Sequence, residues 1–346
     1  MRNFYSPLKA CDPYLRFVFL TGITKFSQMS IFSELNNLKN ISMMPEYAGI
    51  CGITEEELTA QLADYVEASA ESQGKTHEEA LRLLKQNYDG YHFCWPSPDI
   101  FNPFSLLTAF AKRKIGSYWF ASGTPTYLIE MMRKFGVAPS QIGPTEAMAS
   151  DFDAPTERMA SLIPLLYQSG YLTIKDYSSE EDIYILDIPN KEIRIGLMET
   201  LLPNYVQSGV GETSLAGIAK MYRSLRHDDL NGMLRQLQQF LLTVPYCENT
   251  NYEGHYQQML YVIFSLLGRY VDVEVRTATG RVDMVMQAFG KLYLFELKLN
   301  RSAAAAMQQI NLNDYPARFS QCGLPIVKVG INFDTATRTV SDWVIE

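Results

Sequence analysis

The chain reads as an α/β (α+β) protein ending in an αβββαβ unit, and three observations carry that reading. Residues 252–268 place Tyr256, Leu260, Ile263 and Leu267 at helical spacing on one face. Three β-prone runs follow at 271–276, 281–287 and 292–298, the last two joined by a turn at Phe289-Gly290. An alanine-rich helix over 302–319 and a strand over 326–332 complete the order, with 343–345 as a short edge strand. Small alanines at 303–306 let that helix lie close against the sheet.

From the N-terminus, Arg16-Phe17-Val18-Phe19-Leu20-Thr21-Gly22 is expected as a buried strand ending in a glycine turn, followed by a helix or loop through Leu38. A parallel strand is covered on both faces, and the residues before this one are too few for the βαβ units that would surround it. Residues 54–87 read as helical. Thr54 before Glu55, Glu56 and Glu57 is an N-cap with an acidic first turn, and Leu58, Leu62 and Tyr65 fall on one face. Gly74-Lys75-Thr76 has the letters of a phosphate-binding loop. It fails the pattern, because Ser69 stands where that loop needs Gly and a helix precedes it instead of a strand. It reads as the turn that opens a second acidic helix.

Asn87-Tyr88-Asp89-Gly90-Tyr91 and Tyr118-Trp119-Phe120 are turn-and-aromatic segments. His92, flanked by aromatics, is expected as a packed and hydrogen-bonded histidine. Lys112-Arg113-Lys114 ends a helix that starts near Pro103, where cations suit the C-terminal end of the dipole. Residues 137–157 are rich in Pro, Ser, Thr and acids and read as a loop or hinge. A short helix at 162–166 and strands at 171–174 and 183–188 follow, the strands forming a hairpin. Asp187, at the end of the second strand, reads as structural. Helices are expected at 191–205 and 215–242, the second interrupted near His227-Asp228-Asp229, with Pro245 closing the region.

Composition narrows the function classes. With 346 residues, 47% of them hydrophobic, the chain has room for two or three domains. A net charge of -8 excludes binding to nucleic acid through overall positive charge. The excess acid lies upstream: from residue 246 on, 9 Lys and Arg face 10 Asp and Glu, against 21 and 28 before it. A local basic rim fits that C-terminal balance, and a strongly basic domain does not. Cys11, Cys51, Cys94, Cys247 and Cys322 form no CxxC pair, so reduced, mostly buried thiols in a cytoplasmic protein are expected and a zinc site is not. No apolar run has the length of a membrane span or of a signal-peptide core.

The chemistry concentrates in the hairpin at 280–298. Side chains two apart on a strand share a face, so Glu296 and Lys298 point the same way and Asp283 on the neighbouring strand can join them. A charge taken into a sheet interior costs on the order of several kcal/mol unless it is paired or bound to metal. Phosphodiester hydrolysis uses a divalent ion, and Mg²⁺ takes one or two carboxylates with waters and phosphate oxygens. Asp283 and Glu296 are therefore candidate metal ligands, with Glu253 on the preceding helix as a third. Lys298 is placed to hold the attacking water or the scissile phosphate. Gln309, on the following helix, can orient a ligand.

Gly-Arg-Val-Asp at 280–283, Phe-Glu-Leu-Lys at 295–298 and Ala-Met-Gln-Gln-Ile at 306–310 followed by Tyr315, set in αβββαβ order, resemble the PD-(D/E)XK nuclease superfamily. The chain is more closely similar to a bacterial family that joins an AAA-ATPase-like domain to such a nuclease. Leu20-Thr21-Gly22-Ile23-Thr24-Lys25-Phe26-Ser27 is similar to a strand of that ATPase domain, and the segments at 87–91 and 118–125 resemble the family's middle region. The resemblance implies a truncated AAA-like remnant at 1–45, a mainly helical middle region with a small hairpin at 46–245, and a restriction-endonuclease-like domain at 246–346. The family's phosphate loop and acidic Mg²⁺ strand would precede Leu20, so no ATP hydrolysis by this chain alone is expected. What it implies instead is hydrolysis of DNA dependent on Mg²⁺ or Mn²⁺, with Asp283, Glu296, Lys298 and Gln309 as catalytic residues. The alternative is an inactive DNA- or protein-binding regulatory module that engages a protein partner through the middle region.

Overall fold

The computed structural model describes residues 10–22, 39–122, 126–154, 156, 159–204, 214–242, 252–268, 272–278, 281–312, 319 and 323–346. The segment expected over 23–38, Pro245, Cys247, Tyr315 and Cys322 lie outside the described residues. Contacts divide the chain into two compact units, residues 1–137 with 142–193, and residues 138–141 with 194–346. The boundary expected at 245/246 falls inside the second unit. No helix among the described residues is long and apolar enough to cross a membrane.

In the first unit, strand β1 (Ile53–Thr54) leads into α1 (Glu55–Gln61), α2 (Ala63–Gln73) and α3 (His77–Tyr88). Thr54 and Thr76 each cap a helix through a reciprocal box, with Glu57 and Glu79. Gly74 closes α2 just before Thr76 opens α3, a helix-to-helix turn with no strand on its N-terminal side. The expected single face breaks at Leu62, where α1 ends, and Tyr65 is exposed while Leu58 is buried. Next come β2 (Ile100–Phe101), α4 (Pro103–Lys112) and α5 (Thr126–Phe135). The stretch expected as a loop holds β3 (Thr145–Ala147) and α6 (Ala149–Phe152), and β3 pairs with the later hairpin. That hairpin, β4 (Thr173–Ser178) and β5 (Ile183–Asp187), follows α7 (Ile163–Gln168) and makes the sheet β3-β5-β4. The unit ends within α8 (Lys191–Leu201).

Two sequence motifs find structural employment here. At Gly90 φ is +94°, and an added Cβ would stand 2.6 Å from the Pro189 carbonyl oxygen. Lys175 Nζ donates to the Gly90 and Pro189 carbonyls at 2.5 and 3.2 Å, and Asn190 Nδ2 donates to the Asp89 carbonyl at 3.0 Å. Buried Glu192 accepts the Tyr118 and Trp119 N–H groups at 2.5 and 3.0 Å. His92 is buried as expected, but it has an acid within reach, Asp99 Oδ1 at 3.4 Å from its Nε2. Residues 16–22 correct an expectation. They form no strand, and Phe17 and Phe19 are exposed and stack on each other. No described strand pairs with this apolar run, so its β-propensity has no ladder to join. Cysteine burial is also less than expected: Cys94 is buried, and Cys11 and Cys51 are exposed.

The second unit is built on one sheet. Helices α9 (Ser214–Arg226), α10 (Leu230–Leu242) and α11 (Tyr252–Leu267) precede β6 (Asp272–Ala278), β7 (Arg281–Ala288) and β8 (Lys291–Leu299). Helix α12 (Ala303–Leu312), β9 (Ile326–Asp334) and β10 (Thr339–Ile345) follow. The strand order is β10-β9-β8-β7-β6, with β8 and β9 parallel and every other pair antiparallel. The αβββαβ order thus holds, and β10 is a full strand rather than a short edge. β7 and β8 are joined by a two-residue turn at Phe289 and Gly290, both at positive φ (51° and 74°), which matches the twist of a hairpin. Helix α11 was expected to be amphipathic. It buries Met259, Leu260, Tyr261, Val262, Ile263 and Phe264 in succession, because it is enclosed on every side.

Alternation along β8 decides what lies on each face. Tyr293, Phe295, Leu297 and Leu299 face the α11 side, where Tyr256 packs on Phe333 of β9, while Leu294, Glu296 and Lys298 face α12. Helix α12 comes down on Gly330 of β9, with Ala303 and Ala306 fully buried. A Cβ at Gly330 would lie 2.6 Å from the Ala303 carbonyl oxygen and 2.8 Å from the Met307 nitrogen, both backbone atoms. The close approach of helix to sheet therefore requires glycine there. Gly330→Ala is expected to lower unfolding stability by about 1–3 kcal/mol, as overpacking does. Urea unfolding measures it, and an unchanged midpoint would contradict the packing described.

Candidate active site

Adjacent antiparallel strands put Asp283 of β7 directly opposite Glu296 of β8. Residues facing each other in this way share a side of the sheet and hold their side chains within contact range. Glu296 is wholly buried and Lys298 is 6% exposed, whereas Asp283 is half-buried. Lys298 Nζ donates to Glu296 Oε1 at 2.6 Å and to Gln309 Oε1 at 2.5 Å. Gln309 reaches it because α12 starts just after β8 and returns over the sheet at Gly330, which is the register partner of Glu296. Four of the five residues singled out by sequence, Asp283, Glu296, Lys298 and Gln309, thus belong to one constellation. Glu253 lies in the first turn of α11, and its side chain is outside the described residues.

Of the buried and half-buried groups here, two are carboxyls and one is an ammonium, and a further cation, Arg276 opposite Asp283 on β6, is exposed and paired with Glu274. Like charges opposite each other on a sheet are unfavourable, and burial sharpens the repulsion. Burial first, and a hydrogen bond with the Asp283 carboxyl next, push the Glu296 carboxyl up from its ordinary 4.5 to about 7, against the opposing pull of Lys298. With both carboxyls ionised and no proton shared with Asp283, the buried Glu296 Oε2 has no hydrogen-bond donor among the described residues. A buried acceptor in that state costs on the order of 1–3 kcal/mol. The arrangement is unfavourable as a purely structural element and suits a hard cation, which neutralises both carboxylates and fills the acceptor. Among the described residues no group of three or more acids, histidines or cysteines gathers at metal-binding distance, so the described donor set is the Asp283 and Glu296 pair.

Two further residues support the site without having been singled out in the sequence. Gly330 admits α12, as above. Asn332, opposite Lys298 on β9 and buried, accepts the Arg301 N–H at 2.9 Å and donates to Ser341 Oγ at 2.8 Å. It fixes the chain where β8 hands over to α12. The available signal was the alternation of Lys328, Gly330, Asn332 and Asp334 with apolar residues along β9.

Comparison with known proteins gives the same region a family. Residues 251–343 match the PD-(D/E)XK nuclease superfamily. A curated protein of Azotobacter chroococcum mcd 1, "Uncharacterized protein in vnfD 5'region", is 34% identical over 358 residues, an alignment that takes in 100% of this chain. The chain spans 66% of that relative's length. No solved structure shows a significant match.

The raised Glu296 carboxyl fixes the sign of a pH effect. Its protonated form favours the fold, so the contribution is complete below about 4.5, declines as pH rises toward 7 and is lost above it. With chelator present, the urea midpoint is expected to fall between pH 5 and pH 8, and Glu296→Gln to flatten that fall. An equal fall in the variant would show that another group is responsible.

Proposed function

We propose, from a chain whose residues 251–343 form a PD-(D/E)XK nuclease superfamily domain, that this protein hydrolyses phosphodiester bonds of DNA with Mg²⁺ or Mn²⁺ held by Asp283 and Glu296. The single observation that carries the reading is the buried carboxyl pair on β7 and β8 with Lys298 beside it. Nucleases of this superfamily generally use divalent metals. Glu253 lies in the first turn of α11, which packs on the opposite face of the sheet from Asp283 and Glu296, and it is given no part in the proposed site. A divalent ion bound there supplies a Lewis acid that neutralises phosphate charge and favours ionisation of water.

The remaining roles belong to the chain's own groups. Asp283 and Glu296 in their ionised forms provide hard oxygen ligands from opposite positions on one face of the sheet. Lys298 presents a positive charge next to Glu296, where an attacking water or the scissile phosphate oxygen needs a donor. Among the described residues Glu296 and Gln309 take two of its three N–H groups, and the third is proposed to reach a substrate oxygen. Gln309 holds the ammonium from the α12 side, so its role is to position Lys298. ATP hydrolysis is no part of the proposal, because Gly74-Lys75-Thr76 joins helix to helix.

Incubation of labelled DNA with the protein and Mg²⁺ or Mn²⁺ tests the reading. Cleavage is expected to disappear with chelator and to drop by about 100-fold or more in Asp283→Asn and Lys298→Ala, the scale seen when one transition-state partner is removed. Equal cutting by wild type and both variants, or cutting that chelator leaves unchanged, would sink the assignment.

A further inference from the structure

The face of the sheet that carries Asp283 and Glu296 is covered along part of its width. Helix α12 packs over β8, β9 and β10, and Glu296 lies opposite Gly330 beneath it. Helix α11 meets β6 and β7, but from the face on which Tyr256 packs against Phe333. On the Asp283 face of those two strands, Glu274, Arg276 and Gln287 are exposed and Val285 is half-buried. Exposure rises along one row of register partners: Glu296 is wholly buried, Asp283 half-buried, and the Arg276 side chain 71% exposed. The carboxyl pair is thus reached from the side of β6, which is the outer strand of the sheet.

Arg276 stands at that approach. It is the register partner of Asp283, one strand spacing away, or about 5 Å. Its Nε and Nη2 both donate to Glu274 Oε1, at 2.8 and 2.6 Å. Both partners are more than half exposed, so the pair is weak and readily exchanged. A guanidinium offers a planar fork that fits two phosphate oxygens, a better match than a single carboxylate oxygen. Resting on the nuclease reading, we propose that the open β6–β7 face is the platform for the nucleic-acid strand, and that Arg276 grips the phosphate next to the scissile one. Glu274 holds the guanidinium in place until that phosphate displaces it.

Steady-state cleavage of labelled single-stranded DNA, duplex DNA and single-stranded RNA oligonucleotides with Mn²⁺, at several salt concentrations, tests this. Wild type is compared with Arg276→Ala, Arg276→Lys and Glu274→Gln, with thermal unfolding as a check that each is folded. Arg276→Ala is expected to raise KM about tenfold, the scale of one lost charge-assisted contact, with kcat little changed. The slope of log affinity against log salt becomes shallower by about 0.7–0.9, one phosphate contact fewer. Arg276→Lys recovers the slope but only part of KM, and Glu274→Gln lowers KM by removing one competitor for the guanidinium. The Arg276 effect is expected to be largest on DNA, the substrate of the nuclease reading, and a larger effect on RNA would overturn the DNA platform. Unchanged KM and salt slope in folded Arg276→Ala, on a wild type that cuts, overturn the Arg276 assignment alone. A wild type that neither cuts nor binds any of the three overturns the nuclease reading with it.

Discussion

Two carboxyls facing each other across neighbouring strands, one of them wholly buried, repel in a medium that screens little. Most of the second unit can be understood from how Asp283 and Glu296 are kept in that position. The β7–β8 ladder fixes them opposite each other over eight consecutive register pairs, from Arg281 with Lys298 to Ala288 with Lys291. A slip by one residue would send every side chain of β8 to the other face, placing Phe295 and Leu297 beside Asp283 and the charges in the α11 core. The tight turn at Phe289 and Gly290 and the enclosed apolar face on the α11 side both oppose that slip. Burial of Glu296 is thus the consequence of a strongly specified register, and the fold tolerates an acid that would otherwise be selected against.

Lys298 moderates the repulsion without cancelling it. Its position depends on a second constraint, the approach of α12 to the sheet at Gly330 and at the small side chains of Ala303 and Ala306. That approach brings Gln309 to the ammonium, while Asn332 holds the chain where β8 ends. Among the described residues the same helix shields β8, β9 and β10, while Glu274, Arg276 and Gln287 on the β6–β7 part of the face are exposed. Packing and access therefore come from one element. Any change that lifts α12 would loosen Lys298 and open the covered side together.

Much of this site was legible because strand periodicity is strict. Counting by two from Glu296 gives Lys298, and a hairpin with Gly in its turn brings Asp283 within reach, so the constellation follows from sequence alone. Register, burial and the partner helix do not. Gly330 and Asn332 look like ordinary interruptions of an apolar strand until α12 is placed over them. Arg276 lies outside the acid-and-lysine pattern, and only the β6–β7 register sets it beside Asp283. Elsewhere the misses share a cause, in that local pattern cannot report what lies beyond the element. Residues 16–22 have strand composition but no partner strand among the described residues, and α11 shows one apolar face by period while its surroundings bury the others. β3 is three residues long, too short for alternation to register, and exists because β5 offers it an edge.

The central claim is that the carboxyl pair is held for a divalent cation, and calorimetric titration of the protein with Mn²⁺ at pH 6 tests it most directly. Repeating the titration in buffers of different ionisation enthalpy counts the protons released. Because burial and the hydrogen bond with Asp283 raise the Glu296 carboxyl, the pair retains a proton that must leave when both carboxyls become ligands. Saturable binding with release of protons is expected, together with loss of that release in Glu296→Gln. Absence of binding, or binding of the same strength and proton count in the variant, would contradict it.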